Sequence, residues 1–383
     1  MKWLRYLLVF VPVAFALEFI PALKNELALF VVCCVGLVPL AGYLGEATEE
    51  LSIHTGPKVG GLLNATLGNA AELIISIVAL SQGKIELVKA SITGSILGNL
   101  LLILGLALLL GGLRHGRQRF DRQAAGVSAS MMTLAVIGLV IPTLFEVLRE
   151  IQTGQLDVFN TQINDPALNS LSLGVAGVLI LLYVLSLIYQ FRQPEGRLGG
   201  PTGVQDRTDE EAQHKAKWSV PLAIGVLAAA TLGIVFLSEF LVGAVEPFAE
   251  AIGLSEFFIG IIVIPIVGNV AEHIVAVQMA IKNKMDLAFT IAMGSSMQVA
   301  LLVGPLLVFV SLLFGPEMTL FFSILEVSAL TLSVLLATII SVDGESNWLE
   351  GAQLLAVYVI TAMGFYFVTA GGVAEALRGL MGA

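Results

Sequence analysis

Gly68-Asn69-Ala70-Ala71-Glu72 and Gly268-Asn269-Val270-Ala271-Glu272 decide how this chain is read. Each sets a carboxylate inside a long apolar run, and the two runs lie in halves that align without a gap at a shift of 200 residues. Glu46 then meets Glu246, and Glu50 meets Glu250. Gly60 meets Gly260, and Lys84 and Glu86 meet Lys284 and Asp286. Gly94-Ser95 meets Gly294-Ser295, and Leu101-Leu102 meets Leu301-Leu302. Chance does not match so many rare polar positions in register, so the chain contains an internal repeat.

Working outward, 57% of the 383 residues are hydrophobic and only 13% are charged, about half the usual share for a soluble domain. The hydropathy pattern predicts an all-α integral membrane protein of about eleven spans, near 3–20, 27–45, 57–80, 87–112, 124–146, 169–191, 217–241, 253–281, 285–313, 318–341 and 350–370. Lys2 and Arg5 precede a short first span in which Ala14-Phe15-Ala16 resembles a signal-peptidase site; an uncleaved helix is expected. With the N-terminus in the cytoplasm, alternating sides puts 14 Lys and Arg inside and five (Lys24, Lys84, Lys89, Arg149 and Arg378) outside, the bias of the positive-inside rule. The C-terminus then lies on the opposite side. Residues 57–80 run outward and 253–281 inward, so the repeats are inverted in the membrane. Matched polar, Gly-interrupted segments in inverted repeats point to a midplane transport site. The expected divisions are a peripheral first helix over 1–25, a first repeat over 26–191, a cytoplasmic linker over 192–216 and a second repeat over 217–383. The linker is rich in Pro and Gly and carries Asp206, Asp209, Glu210 and Glu211; it is expected to tether the halves.

The net charge of −10 names no partner, because the acids sit in loops and at a few buried positions, and no basic stripe with interleaved aromatics suggests nucleic acid. Cys33 and Cys34, adjacent in an apolar run, make no disulfide framework.

A carboxylate near the bilayer centre costs about 3 kcal/mol on insertion scales. The core spans offer Glu72 and Glu272 no Lys or Arg at comparable depth, which leaves a bound cation or protonation. Gly68 and Glu72 are four apart and share a helix face. Gly56, Pro57, Gly60 and Gly61 before the first acid, and Pro265 and Gly268 before the second, break helices and free carbonyls, which membrane depth tolerates where a cavity or ion takes them. Close helix packing is a compatible second role for the glycines. Ser91, Ser95 and Asn99 recur every four residues, and Ser295 and Gln298 are three apart. Alone they would read as interhelical hydrogen bonds; facing the acids they orient carboxylates or hold water. Two carboxylates with carbonyl, amide and water oxygens make the hard shell Ca²⁺ prefers over Mg²⁺, and no Cys or clustered His favours a soft metal. Without the cation the carboxylates repel each other and take up protons, so two protons neutralise the site as Ca²⁺ does. His273, next to Glu272, is a candidate to titrate or orient it.

At these residues the sequence resembles the CAX-type Ca²⁺/H⁺ exchangers of the Ca²⁺/cation antiporter superfamily, over roughly 35–370. The resemblance rests on Gly60-Gly61-Leu62-Leu63-Asn64-Ala65-Thr66 with 68–72, on Pro265 through His273, on Gly94-Ser95-Ile96-Leu97-Gly98-Asn99, on Gly294-Ser295-Ser296-Met297-Gln298 and on Asp343 through Gly351. It implies one peripheral helix, then two inverted five-helix repeats with an acidic loop between. It implies that Glu72, Glu272 and the carbonyls of Gly68 and Gly268 hold the ion, with Asn69 and Asn269 supporting. Sodium-coupled relatives carry a Gly-Thr-Ser type run with Pro before the acid; its absence argues for protons. The partners implied are Ca²⁺ as substrate, H⁺ as coupling ion and the lipid bilayer, with no cofactor; an oligomer is compatible with this pattern. A Na⁺/Ca²⁺ or other divalent cation exchanger is the alternative of the same architecture. An intramembrane hydrolase would want Gly-x-Gly-Asp, a Ser/His pair or His-Glu-x-x-His, so no enzyme is expected, and an occludable two-Glu site argues against a passive channel.

Overall fold

The computed structural model describes residues 4–153, 165–192, 216–315 and 317–369. The linker within 193–215 and the C-terminal tail lie outside the described residues. Among the described residues the regular structure is helical apart from a two-residue antiparallel pair, β1 (Gln118–Arg119) with β2 (Glu345–Ser346).

Among the described residues, nine helices are long and apolar enough to cross a membrane. We number the helices in chain order: α1 Phe10–Phe19, α2 Glu26–Gly56, α3 over 57–67, α4 Ala70–Ser81, α5 Ile85–His115, α6 Arg122–Gln152, α7 Pro166–Tyr189, α8 Val220–Ile252, α9 Glu256–Ile281, α10 Met285–Ser311, α11 Ile324–Ser341 and α12 Trp348–Val368. The expectation of eleven is met for nine, and the two shortfalls have identifiable causes. α1 has ten residues, about 15 Å of helix, half of a hydrocarbon core. It packs through Phe15 on Phe236 and Phe240 of α8, with ring centroids 5.6 and 5.2 Å apart. The span expected over 57–80 is split into α3 and α4 by Asn69, at φ −102° and ψ 29°. Gly56, at φ 81° and ψ 170°, separates α3 from α2, a conformation only glycine adopts without strain.

Helix ends follow local chemistry. Asn25 caps α2 by accepting from Ala28 N–H at 3.0 Å, and Ser255 caps α9 by accepting from Phe258 N–H. Ser323 and Glu326 form a reciprocal capping box on α11. Asn347 accepts from the backbone N–H of Leu349 and Glu350, while Glu350 accepts from Asn347 N–H at 3.0 Å. The Asp343–Gly351 motif thus builds the turn and cap that start α12.

The span expected from 318 becomes helical only at Ile324. Residues 317–323 are non-helical, yet Met318, Thr319, Leu320, Phe321 and Phe322 are all buried. Side chains satisfy this backbone: Ser311 Oγ accepts from Met318 N–H, Ser172 Oγ from Leu320 N–H and Thr143 Oγ1 from Phe322 N–H, at 2.8, 3.1 and 3.2 Å. Irregular backbone inside a membrane protein survives where such partners replace water.

Loop contacts sort the helix ends into two groups. At one end His115 meets the Ile281 carbonyl, Gln118 donates to the Ala280 carbonyl and Asn283, Asp286 accepts from Asp121 N–H, and β1 pairs with β2. At the other, Lys84 meets Glu246 and Glu256, Arg149 meets Glu146 and Asp165, and Asn169 donates to Glu317. Lys89, counted above with the outside loops, is instead 2% exposed within α5. Its ammonium lies 3.4 Å from Thr319 Oγ1 and 5.9 Å over the Phe321 ring, in the field of Glu86 and Glu326.

Candidate ion site

Four elements carry the residues singled out by the sequence. α4 begins at the Gly68-Asn69 break, so Glu72 lies in its first turn. α9 carries Pro265, Gly268, Asn269, Glu272 and His273. α5 carries Ser95 and Asn99, and α10 carries Ser295 and Gln298. A π-helical stretch interrupts α5 at Gly98–Ile103, α9 at Ile259–Val263 and α10 at Val299–Val303. Such widened turns re-aim side chains and recur at functional sites. The stretches in α5 and α10 occupy matching positions at the repeat shift.

Hydrogen bonds join these elements into one buried network. Asn69 Nδ2 donates to Gln298 Oε1 at 2.6 Å, and Ser295 Oγ donates to Asn69 Oδ1 at 2.9 Å. Asn99 Nδ2 donates to Ser295 Oγ at 3.0 Å, and His273 Nε2 lies 3.2 Å from Asn99 Oδ1. Because the Asn99 amide group is committed to Ser295, its Oδ1 is the acceptor and His273 Nε2 the donor. Asn269 Nδ2 donates to Ser95 Oγ at 3.2 Å and to the Pro265 carbonyl at 3.0 Å. His273, considered above as an orienter of Glu272, therefore hydrogen-bonds Asn99: successive residues of a helix point in different directions.

Glu72 is 7% exposed. A Cβ placed on Gly268 would lie 3.6 Å from Glu72 Cγ, so the acid of the first repeat packs on the glycine of the second. The reciprocal relation differs: the nearest side-chain atom to a Cβ on Gly68 is Gln298 Oε1, at 3.3 Å. Glu272 Oε2 and Asn269 Oδ1 are buried without a hydrogen-bond partner. Neither Glu72 nor Glu272 takes part in an ion pair among the described residues. No cluster of three or more His, Cys, Asp or Glu with metal-holding geometry occurs among them either. A cation here would draw on two carboxylates and neutral oxygens, the donor set of a hard ion.

Two features escaped the sequence reading. One is the Lys89–Glu326 region, where Thr93 Oγ1 donates to Glu326 Oε1 at 2.9 Å. The signal was a lysine four residues before a threonine in an apolar span. The other is Gly94, where a Cβ would fall 2.0 Å from the Ile261 carbonyl oxygen. Pro265 has no N–H to close the helical bond to that carbonyl, and the glycine lets α5 approach it.

The profile of the sodium/calcium exchanger protein family matches residues 25–192 and 222–367. A Ca²⁺/H⁺ antiporter of Synechocystis sp. is 43% identical over 370 residues, covering 94% of this chain and 96% of the relative. The Ca²⁺/H⁺ antiporter ChaA of Bacillus subtilis is 45% identical over 341 residues, covering 89% and 92%. The solved structure of native YfkE superposes with a TM-score of 0.78 at 40% identity, covering 95% of this chain and 99% of that one.

Proposed function

Because the chain belongs to the sodium/calcium exchanger protein family, in its CAX-type branch, we propose that it exchanges Ca²⁺ for H⁺ across a membrane by alternating access, with Glu72 and Glu272 as the shared site. The observation that carries the site assignment is the enclosure of Glu72 against Gly268, with Glu272 Oε2 buried and unpartnered nearby on α9. A buried acid and a half-buried one whose Oε2 is enclosed, neither with a cationic partner among the described residues, need either a bound cation or protons.

The chemistry is charge exchange at one place. Ca²⁺ neutralises both carboxylates; when it leaves, two protons do the same. Either loaded form is neutral overall and can be occluded between the repeats, whereas the bare dianion is not. Ion and proton movements are coupled because they compete for the same oxygens. Carbonyl oxygens of Gly68 and Gly268 complete the shell in this reading. Asn69, Asn269, Ser95, Asn99, Ser295, Gln298 and His273 hold the broken helices in register or face water on the ion. The lysine- and arginine-rich end, with the loops around Arg117 and Lys284, is the cytoplasmic one under the positive-inside rule, which sets the C-terminus outside and, with the helical turn Leu4–Leu7 and α1 crossing together, the N-terminus inside.

The test is ⁴⁵Ca²⁺ uptake into proteoliposomes of the purified chain under an imposed pH gradient, with and without Na⁺. Uptake driven by the pH gradient alone is the expected result. Uptake that requires a Na⁺ gradient and ignores pH would favour the Na⁺/Ca²⁺ alternative.

A further inference from the structure

Lys84 Nζ lies 2.9 Å from Glu246 Oε2 and 3.0 Å from Glu256 Oε2. One ammonium thus ties the α4–α5 turn of the first repeat to the end of α8 and the start of α9 in the second. Burial disfavours its charge, but the hydrogen bonds to Glu246 and Glu256 outweigh this and raise its pKa above the ordinary lysine value. The repeat shift maps Lys84 and Glu246 onto Lys284 and Glu46; the Gln118–Asn283 contact places Lys284 at the opposite end, and Glu46 lies in the half of α2 toward Gly56. Lys284 and Glu46 are exposed, and neither joins the other in an ion pair among the described residues. Glu256 has no acidic counterpart, because position 56 is the glycine that breaks the helix.

A second, independent asymmetry has the same sense. Gly260 sits in α9 against α5: a Cβ there would fall 2.9 Å from Leu87 Cδ1 and 3.0 Å from Ala90 Cβ. Its counterpart Gly60 does not lie against the matching residues of α10, Leu287 and Thr290, as its nearest atoms. It is folded back on α2, where a Cβ would fall 2.6 Å from the Ser52 carbonyl oxygen and where Ser52 Oγ donates to the Gly60 carbonyl at 3.0 Å. The Lys84 end is thus closed by α9 on α5, while α3 stands off α10 at the Lys284 end.

We infer that Lys84–Glu246 and Lys284–Glu46 are symmetry-related latches of the exchange cycle, one made as the other is released. This structure holds the state with the Lys84 latch shut and the Lys284 end open. In the opposite state the two repeats exchange conformations: α3 closes on α10, and Lys284 reaches Glu46. The extra carboxylate of Glu256 weights the equilibrium toward the state seen. The inference rests on the alternating-access reading above.

The experiment uses the full-length chain in proteoliposomes, with Asn64→Cys on α3 as reporter and the parent, carrying Cys33 and Cys34 alone, as blank. Labelling by a membrane-impermeant maleimide should slow about two- to fivefold with Lys84→Glu, which breaks the shut latch, the range that partly exposed ion pairs support. The pair Lys84→Glu/Glu246→Lys should recover part of the loss. A Glu46→Cys/Lys284→Cys pair should cross-link under oxidation during turnover and stop exchange until reduced. Labelling unchanged by Lys84→Glu, together with no Glu46→Cys/Lys284→Cys cross-link, overturns the latch. Uptake by the parent in the same vesicles separates the two ideas: no pH-driven uptake sinks the exchange reading, whereas uptake with those two negatives sinks the latch alone.

Discussion

Ser295 Oγ donates to Asn69 Oδ1 at 2.9 Å, and the same two positions moved by the repeat shift meet again, with Asn269 Nδ2 donating to Ser95 Oγ at 3.2 Å. In each case the asparagine after Gly68 or Gly268 of one repeat is held by a serine of the other. The repeats therefore build this buried network by exchange, each fixing its partner's interrupted helix. The direction of donation differs. Ser295 is already the acceptor from Asn99, so its own proton is free to go to Asn69.

That difference makes the two serines unequal. Ser295→Ala removes both a donor to Asn69 and an acceptor from Asn99 in a buried network, so apparent Ca²⁺ affinity should fall about 10- to 100-fold. Ser95→Ala should cost less, because Asn269 keeps its bond to the Pro265 carbonyl at 3.0 Å. Ca²⁺ titrations of uptake rate decide this; equal losses for both serines would mean that the network does not position the acids.

Glu72→Gln and Glu272→Gln should each abolish pH-driven Ca²⁺ transport while the protein stays folded. Each keeps shape and removes one charge, so bound Ca²⁺ would leave a net charge enclosed in a low-dielectric site. Uptake assays on variants with wild-type gel-filtration profiles are the check, and wild-type rates in either variant reject the site.

Gly94→Ala puts a methyl 2.0 Å from the Ile261 carbonyl oxygen and 2.6 Å from Pro265 Cγ. The first obstacle is backbone, so α5 and α9 must separate, at a cost of about 1–3 kcal/mol or more. Gly98→Ala, one turn on, meets nothing within 4 Å and should be near neutral. Thermal unfolding in detergent should show a clear drop for the first and little change for the second; a stable Gly94→Ala would mean the helices do not approach as seen.

Much of this architecture is legible in the sequence because it is written twice. The shift that aligns Glu72 with Glu272 also aligns Asn69 with Asn269 and Ser95 with Ser295, and these asparagines and serines are hydrogen-bonded in one buried network. Hydropathy locates α5, α7, α9, α10 and α12 to within a few residues, whereas α6 runs on to Gln152 and α8 to Ile252, past their expected ends at 146 and 241. It fails where polar partners permit what a lipid-facing helix could not sustain. The stretch 318–322 is as apolar as a helix, and only the distant hydroxyls of Ser172, Thr143 and Ser311 let its backbone leave the helix. Lys89 looks like a loop residue because it stands near a span end; its burial depends on Thr319 and Glu326, more than 200 positions away. The separation of α3 from α10 is a conformational state, and a symmetric sequence does not say which of its two halves is closed.

The Lys89 region yields a stability test. Lys89→Met removes a buried ammonium from the field of Glu326, 1% exposed; because the two are not in ion-pair contact, the loss should fall below about 3–5 kcal/mol, the range typical of a broken buried pair. The double variant Lys89→Met/Glu326→Gln should lose less than the two single losses combined. Gln at 326 can still accept from Ser323 N–H, preserving the capping box. Denaturation midpoints of the four proteins form the cycle. Strict additivity would show that Lys89 and Glu326 act independently.

The last prediction concerns pH. If protons and Ca²⁺ share the carboxylates of Glu72 and Glu272, binding Ca²⁺ must expel protons whenever the free site holds them. Apparent affinity is then highest at high pH, where the acids are ionised without help, and falls as pH drops through the range in which the free site protonates. Each displaced proton contributes a tenfold change per pH unit, so two give about a hundredfold loss per unit at the steepest. Calorimetry of Ca²⁺ binding in detergent across pH 5 to 9, in two buffers of different ionisation enthalpy, counts the protons released. Glu72→Gln should lower that count by about one in any binding that remains. A slope near zero at every pH would break the shared-site mechanism, because a carboxylate pair that never holds protons cannot return empty of Ca²⁺ without carrying its full charge through the closed state.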